Sequence, residues 1–266
     1  MTFSQMTDTK LAKALWDGHV PVCFNIDASE ITTLQVPRPY YAMVPRVSSV
    51  MCATTDAVIN HFKDVAPPTL SSQLSRFVWF EFKGMPLKWQ LPFGVLYDLH
   101  GDGMLPWAIT VHFQGYPSQH LLPCDNLQAV EMHFMNCYKQ SMFLLFGSTK
   151  WIMNLPQQKH TQLWKSLVKN DFAMYQAVHG AVVPATEPRR HIPLRVLLPH
   201  EATIQLPLPS SLETIRSALV YLLPQVDIDA AAVRVHGIDV ELDLSISELY
   251  RHFAYPDGFL YIAVLP

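Results

Sequence analysis

Charge is scarce in this 266-residue chain: 15% of the residues are charged and 50% hydrophobic, too apolar for intrinsic disorder and suited to packed globular domains. Nineteen Lys and Arg against 22 Asp and Glu give a formal net charge of -3. No broad positive field results, so nucleic acid is not expected as a partner. No apolar run approaches the ~18 residues of a membrane span. Asp8, Lys10 and Lys13 interrupt the N-terminal stretch where a secretory signal needs an unbroken apolar core, so a cytoplasmic protein is expected. Glycine is also short, at ten residues, and no nucleophile elbow, Walker A loop or dinucleotide fingerprint occurs. Ser166-Leu167-Val168-Lys169 matches S-x-x-K inside a helical pattern without a companion motif, a chance match. Cys23, Cys52, Cys124 and Cys137 include no C-x-x-C pair and read as free thiols. Twelve histidines are scattered without paired ligand spacing, so no metal or other cofactor is expected.

What is present is a pattern of short elements. Thr7 or Asp8 is placed to cap a helix on which Leu11, Ala14 and Leu15 share a face, ending at Gly18. Strand patterns at 20–24 and 40–44 form a hairpin with a long connection. Thr54 opens a helix on Val58, Phe62 and Val65 that Pro67-Pro68 stops. Segments 77–82 and 87–89 then flank Lys83-Gly84-Met85-Pro86 as a second hairpin, and a short helix after Pro92 leads to a strand at 107–113.

The C-terminal part repeats that order without repeating the sequence. Strands at 192–198 and 203–208 precede a helix opened by a Ser210-x-x-Glu213 capping box, with Ile215, Ala218, Leu219 and Leu222 on one face and Pro224 as its stop. Segments 233–235 and 240–242 flank His236-Gly237-Ile238-Asp239, Ser245-x-x-Glu248 caps a helix through Phe253, and 259–265 alternates as a last strand. The order ββαββαβ, found twice, is that of the β-grasp or ubiquitin-like fold, an α+β architecture. Two such units suit a scaffold presenting surfaces better than an enzyme built around one cleft.

Between them lies a helical region. Asp125 is expected to cap a helix on which Leu127, Val130, Phe134, Cys137 and Ser141 form one apolar or small face. Lys139 falls nearly opposite that face, at ~100° per residue. A second helical stretch over 157–179 is expected to break at Asn170-Asp171 and stop at Gly180, and 183–188 reads as a linker. The expected divisions are an N-terminal helix at 1–18, a first ubiquitin-like domain at 19–117, a helix-rich domain with linker at 118–190, and a second ubiquitin-like domain at 191–266.

Specific strings carry more than the pattern does. Trp79-Phe80-Glu81-Phe82-Lys83-Gly84-Met85-Pro86-Leu87-Lys88-Trp89, Pro106-Trp107 with Ile109-Thr110-Val111-His112-Phe113, Glu131-Met132-His133-Phe134-Met135-Asn136-Cys137-Tyr138-Lys139, Gln162-Leu163-Trp164, Ile192-Pro193 and Tyr255-Pro256-Asp257-Gly258-Phe259-Leu260 together resemble the autophagy protein 5 family, in that family's order. Pro45-Arg46-Val47 is also similar. The resemblance implies two ubiquitin-like domains flanking a helix-rich one. It further implies that the ubiquitin-like modifier autophagy protein 12, delivered by an activating and an E2-like conjugating enzyme, is joined by its C-terminal glycine to one lysine, here Lys139. The conjugate, with autophagy protein 16 bound as a helix in a groove, would act like an E3 toward lipidation of autophagy protein 8-class modifiers on phosphatidylethanolamine. Its implied location is the cytoplasm and, through the complex, the phagophore membrane. Gln140 departs from the pattern, since many relatives carry an acid there.

Other readings of these residues remain open. Lys139 alone would pass for a solvated helix lysine. Arg46 is either an exposed charge or a guanidinium fork for a carboxylate of autophagy protein 16; Glu131 is either a helix-surface charge or part of the modifier's interface. Trp79, Trp89 and Trp107 lie in alternating patterns and are assigned to packing. Two rivals are a β-grasp adaptor that associates with the same partners without a covalent bond, and a cysteine hydrolase using Cys137 and His133, one helical turn apart. The C-terminal Ala263-Val264-Leu265-Pro266 lacks the glycine of a modifier, so the chain is expected to accept and not to donate. Lysine amines are almost wholly protonated at neutral pH, and no neighbouring base is evident, so deprotonation is assigned to the conjugating enzyme.

Overall fold

A computed structural model describes residues 3–67, 78–183, 188–209 and 211–266. Pro68, Phe77, Ser210 and residues 184–187 of the expected linker lie outside the described residues. The chain divides into two compact units, one of His19–Met132 and the other of Met1–Gly18 with His133–Pro266.

In the first unit, alternation of apolar and polar residues builds a five-stranded sheet. Strands β1 (His19–Ile26), β2 (Tyr40–Pro45), β3 (Trp79–Phe82), β4 (Met85–Pro86) and β5 (Trp107–His112) are ordered β2-β1-β5-β3-β4. β1 runs antiparallel to β2, from His19 opposite Pro45 to Phe24 opposite Tyr40, and parallel to β5. The inward residues Val20, Val22, Phe24, Phe80, Trp107, Ile109 and Val111 are all buried, each large apolar side chain contributing about 1.5–3 kcal/mol. Helices α2 (Val50–Ala53), α3 (Thr55–Phe62) and α4 (Phe93–His100) belong to the same unit. Thr54 is the N-cap of α3, whose Val58 and Phe62 are buried; Val65 lies beyond its end.

The hairpin after β3 is tighter than the sequence suggested. Lys83 and Gly84 are the two turn residues, with φ of 49° and 83°, and Met85–Pro86 is the returning strand in place of 87–89. Two central residues with positive φ match the right-handed twist of the flanking strands.

In the second unit α1 (Phe3–Trp16) begins before Thr7 and Asp8, which therefore lie within the helix. After it come α5 (Leu127–Phe146), within which the boundary between the units falls, α6 (Lys150–Met153), α7 (Gln157–Val168) and α8 (Phe172–Val182). The break falls at Asn170, φ 51°, and Asp171, whose carboxylate accepts the Met174 N–H. Gly180 does not stop α8: it sits within the helix, with open space where a Cβ would be.

A four-stranded sheet completes this unit, ordered β6-β9-β7-β8 from β6 (Leu194–Leu197), β7 (Ala232–Val235), β8 (Ile238–Asp239) and β9 (Leu260–Leu265). The expected strand at 203–208 reduces to one bridge, Ile204 opposite Val196, because Pro207 and Pro209 lack the N–H groups a ladder needs. The capping box that opens α9 (Ile215–Leu222) is formed by Thr214 and Ser217; Ser210 of the expected box lies outside the described residues. Ser245 is the N-cap of α10 (Ile246–Phe253) but makes no side-chain cap bond, and Glu248 lies near Arg251 and His252 instead. The second hairpin repeats the first, turning on His236 and Gly237 with φ of 51° and 81° and returning through β8, not 240–242.

Candidate functional site

The α5 turn that carries Lys139 is gripped from its inner side. The helix is capped by Asn126, whose Oδ1 accepts the Ala129 N–H at 3.1 Å, and not by Asp125. Val130, Phe134, Cys137 and Ser141 are buried as their spacing required, whereas Leu127, in the first turn, is exposed. Ser141 is wholly buried; its Oγ donates to Tyr138 O at 2.8 Å and faces Gly258, where a Cβ would overlap it. Gly258 has φ 79°. The helix thus meets the loop before β9 backbone to side chain, which accounts for the Tyr255-Pro256-Asp257-Gly258 string.

A second grip is polar. Arg195, a charge in the buried strand β6, lies over the Phe259 ring with its guanidinium carbon 3.8 Å from the ring centre. Its Nη1 donates to Tyr261 Oη at 2.7 Å, its Nε to Gln205 Oε1 at 2.9 Å and its Nη2 to Gln140 Oε1 at 3.3 Å. Tyr261 donates to Asp257 Oδ2 at 2.6 Å, and Asp257 Oδ1 accepts the Phe259 N–H at 3.1 Å. Burial raises the Asp257 carboxyl above its ordinary range, against the charge of Arg195 and these hydrogen bonds. Periodicity does not single out Arg195; its one signal is that of a lone arginine in an otherwise apolar strand, which must be paired if buried.

Cys137 and His133 do meet, Sγ and Nε2 being 3.5 Å apart. The thiol is buried, and burial, with the charge of Asp257 adding, pushes it up to about 11 even though Arg195 pulls the other way. A nucleophilic thiol needs the opposite, a depressed pKa and access. The pair is a packing feature, and the hydrolase reading has no support.

Lys139 points away from that inner face and is partly exposed. It borders an open concavity of about 420 Å³ with Gln140, Phe143, Leu144, Thr149 and Gln205. Phe143 is 58% exposed, so the concavity that Lys139 borders carries an exposed apolar side chain. Further round the same helical bundle, His179 Nδ1 lies 2.7 Å from Tyr138 Oη and 3.0 Å from Tyr175 Oη, and Tyr175 donates to Pro256 O at 3.1 Å. Burial holds His179 down at about 4.

Glu131 and Arg46 belong to the other unit. Glu131 is partly exposed on α5. Arg46 is already engaged within the chain through one nitrogen: Nη2 donates to Asp98 Oδ1 and, at 3.2 Å, to Gly94 O, with both side chains nearly covered. Trp89 and Trp107 are buried; Trp79 stacks on His112 with ring centres 3.9 Å apart and donates to Gln114 O. Among the described residues no cluster of His, Cys, Asp and Glu could hold a metal ion, and no helix is long and apolar enough to cross a membrane.

Three family profiles match in succession: autophagy protein ATG5, UblA domain, over residues 15–113; its alpha-helical bundle region over 127–185; and its UblB domain over 191–264. Autophagy protein 5 of Drosophila melanogaster is 30% identical over 267 residues, covering 97% of each chain. That of Oryza sativa subsp. indica is 38% identical over 168 residues, 63% of this chain and 43% of the rice protein, so the match spans less than half of the rice relative. The crystal structure of Kluyveromyces marxianus Atg5 superposes with a TM-score of 0.85 at 25% identity, over 96% of this chain and 98% of that one.

Proposed function

The chain belongs to the autophagy protein 5 family, and on that premise we propose that it serves autophagy as a non-catalytic acceptor, joined through Lys139 to the ubiquitin-like autophagy protein 12. The observation that carries the reading is the opposition of two faces in one helical turn: Cys137 and Ser141 are fixed inward while Lys139 stands outward beside an open, partly apolar concavity. In the transfer, the neutral Nζ attacks the carbonyl carbon of the modifier's thioester. The new amide C–N bond forms, the C–S bond breaks, and the conjugating enzyme's thiol leaves with the proton that the amine releases.

The conjugate, with autophagy protein 16 bound as a helix, would act by placing a charged E2 thioester beside a membrane amine, which turns a dilute encounter into a local one. Glu131 is proposed to border the modifier, and Arg46 to shape, through Asp98, the surface that the autophagy protein 16 helix meets. The modules are proposed to divide at 1–18, 19–117, 118–190 and 191–266, with the assembled complex in the cytoplasm and recruited to the phagophore membrane. An immunoblot of cell extract in strong reductant tests the covalent step. A second, heavier band is expected, because an amide survives thiols and a thioester does not; a single band at the mass of the free chain overturns it in favour of non-covalent association.

A further inference from the structure

We propose that Arg195 is a positioning residue for the acceptor step, holding through Gln140 and Gln205 the rim of the concavity in which Lys139 meets the thioester. This rests on the reading of Lys139 as acceptor and deepens it. The two glutamines come from different elements, α5 and the segment after β6, and both are exposed. Left alone, such side chains keep their rotamer freedom. Here the Oε1 of each accepts a hydrogen bond from one guanidinium, at 3.3 and 2.9 Å.

That guanidinium cannot drift. Phe259 covers its face, Tyr261 and Asp257 anchor one edge, and its Nη atoms lie 3.5 Å from Cys137 Sγ, two residues before Lys139. A buried charge network thus reaches Gln140, next to Lys139, and Cys137, two residues before it. Nucleophilic attack needs the amine within about 3–3.5 Å of the carbonyl carbon, and misplacement by ~1 Å can cost as much as about 100-fold in rate.

The test is single-turnover transfer from preformed modifier thioester on the conjugating enzyme to the full chain, over a range of acceptor concentrations. Gln140→Ala, on an exposed side chain that should leave the fold intact, is expected to lower the maximal transfer rate roughly tenfold with little change in the half-saturating concentration, a positional loss. Gln140→Glu should retain the wild-type rate, because a carboxylate accepts the same bond from Arg195. Arg195→Lys keeps the charge and loses the fork. Combined with Gln140→Ala it should be no slower than Arg195→Lys alone, since that variant has already lost the contact to Gln140. Should Arg195→Lys fail to fold, the Gln140 pair decides. A wild-type rate in Gln140→Ala, a Gln140→Glu variant as slow as Gln140→Ala, or independent multiplication of the two losses overturns the proposal. A run with Lys139→Arg separates the two levels. Conjugate in that variant overturns the acceptor reading and the clamp with it, whereas no conjugate there with an unaffected Gln140→Ala removes the clamp alone.

Discussion

Gly258→Ala is expected to destabilise the chain by about 3 kcal/mol, lowering its thermal midpoint by roughly 6–12 °C. Two costs combine. The backbone at Gly258 has φ 79°, in the left-handed region that a Cβ disfavours by roughly 1–2 kcal/mol. The added methyl would also overlap Ser141 Oγ and come within 2.9 Å of Ser141 Cβ. Ser141 has no exposed surface and is hydrogen-bonded to Tyr138 O, so relief requires α5 to move, at about 1–3 kcal/mol. Gly103 supplies the control. It has the same φ of 79° with nothing within 4 Å of its Cβ position, so Gly103→Ala should show the backbone cost alone, about 1 kcal/mol. Equal losses in the two variants would mean that helix and loop are not in close contact. Because the Ser141 turn also carries Lys139, Gly258→Ala should slow conjugation as well.

Acidification from pH 7 to 4 should remove about 3 kcal/mol of stability through His179 alone. Folded, His179 takes a proton only at about 4, against 6.5 for the ordinary imidazole. Between those values the unfolded chain binds more protons, so stability rises with pH; the contribution is complete above about 6.5 and lost as pH falls to about 4. Geometry agrees with a neutral ring. Tyr175 gives its proton to Pro256 O, which leaves Tyr138 to donate to Nδ1, and a protonated Nδ1 could accept nothing. Asp257 acts in the opposite sense, since its raised pKa favours the folded state at low pH. The His179 part is therefore read as the difference between denaturant unfolding of the wild-type chain and His179→Gln across this range. Parallel pH curves for the two would show that His179 is not held neutral.

Pattern served best where one periodicity had one meaning. The α9 stripe of Ile215, Ala218, Leu219 and Leu222 is buried as spaced, and β1 alternates without exception. Both hairpins turn more tightly than the strand patterns indicate, because Lys83-Gly84 and His236-Gly237 lack the Asn or Asp that usually announces a two-residue turn with positive φ. The strand expected at 203–208 shows the apolar alternation, yet its prolines deny it a ladder. Gly180 reads as a stop by composition, but nothing at that position demands a left-handed backbone, and the helix runs on. At the site, helical phase placed Lys139 outward and Cys137 inward. What phase could not supply was the third dimension: Arg195, Asp257 and Gly258 lie more than 50 residues along the chain, and their meeting with α5 belongs to the tertiary fold. Phase likewise could not supply the pairing of Arg46, whose partner Asp98 lies on α4.

The acceptor assignment is tested most directly by Lys139→Arg in a reconstituted reaction with activating enzyme, conjugating enzyme, modifier and ATP. Arginine keeps the charge and near-equal length, but its guanidinium is not deprotonated in proteins and cannot attack a thioester. The account predicts complete loss of the heavier, reductant-resistant species, with the unfolding midpoint unchanged because Lys139 faces outward from the locked turn. Undiminished conjugate in that variant, joined through any other lysine, would contradict it.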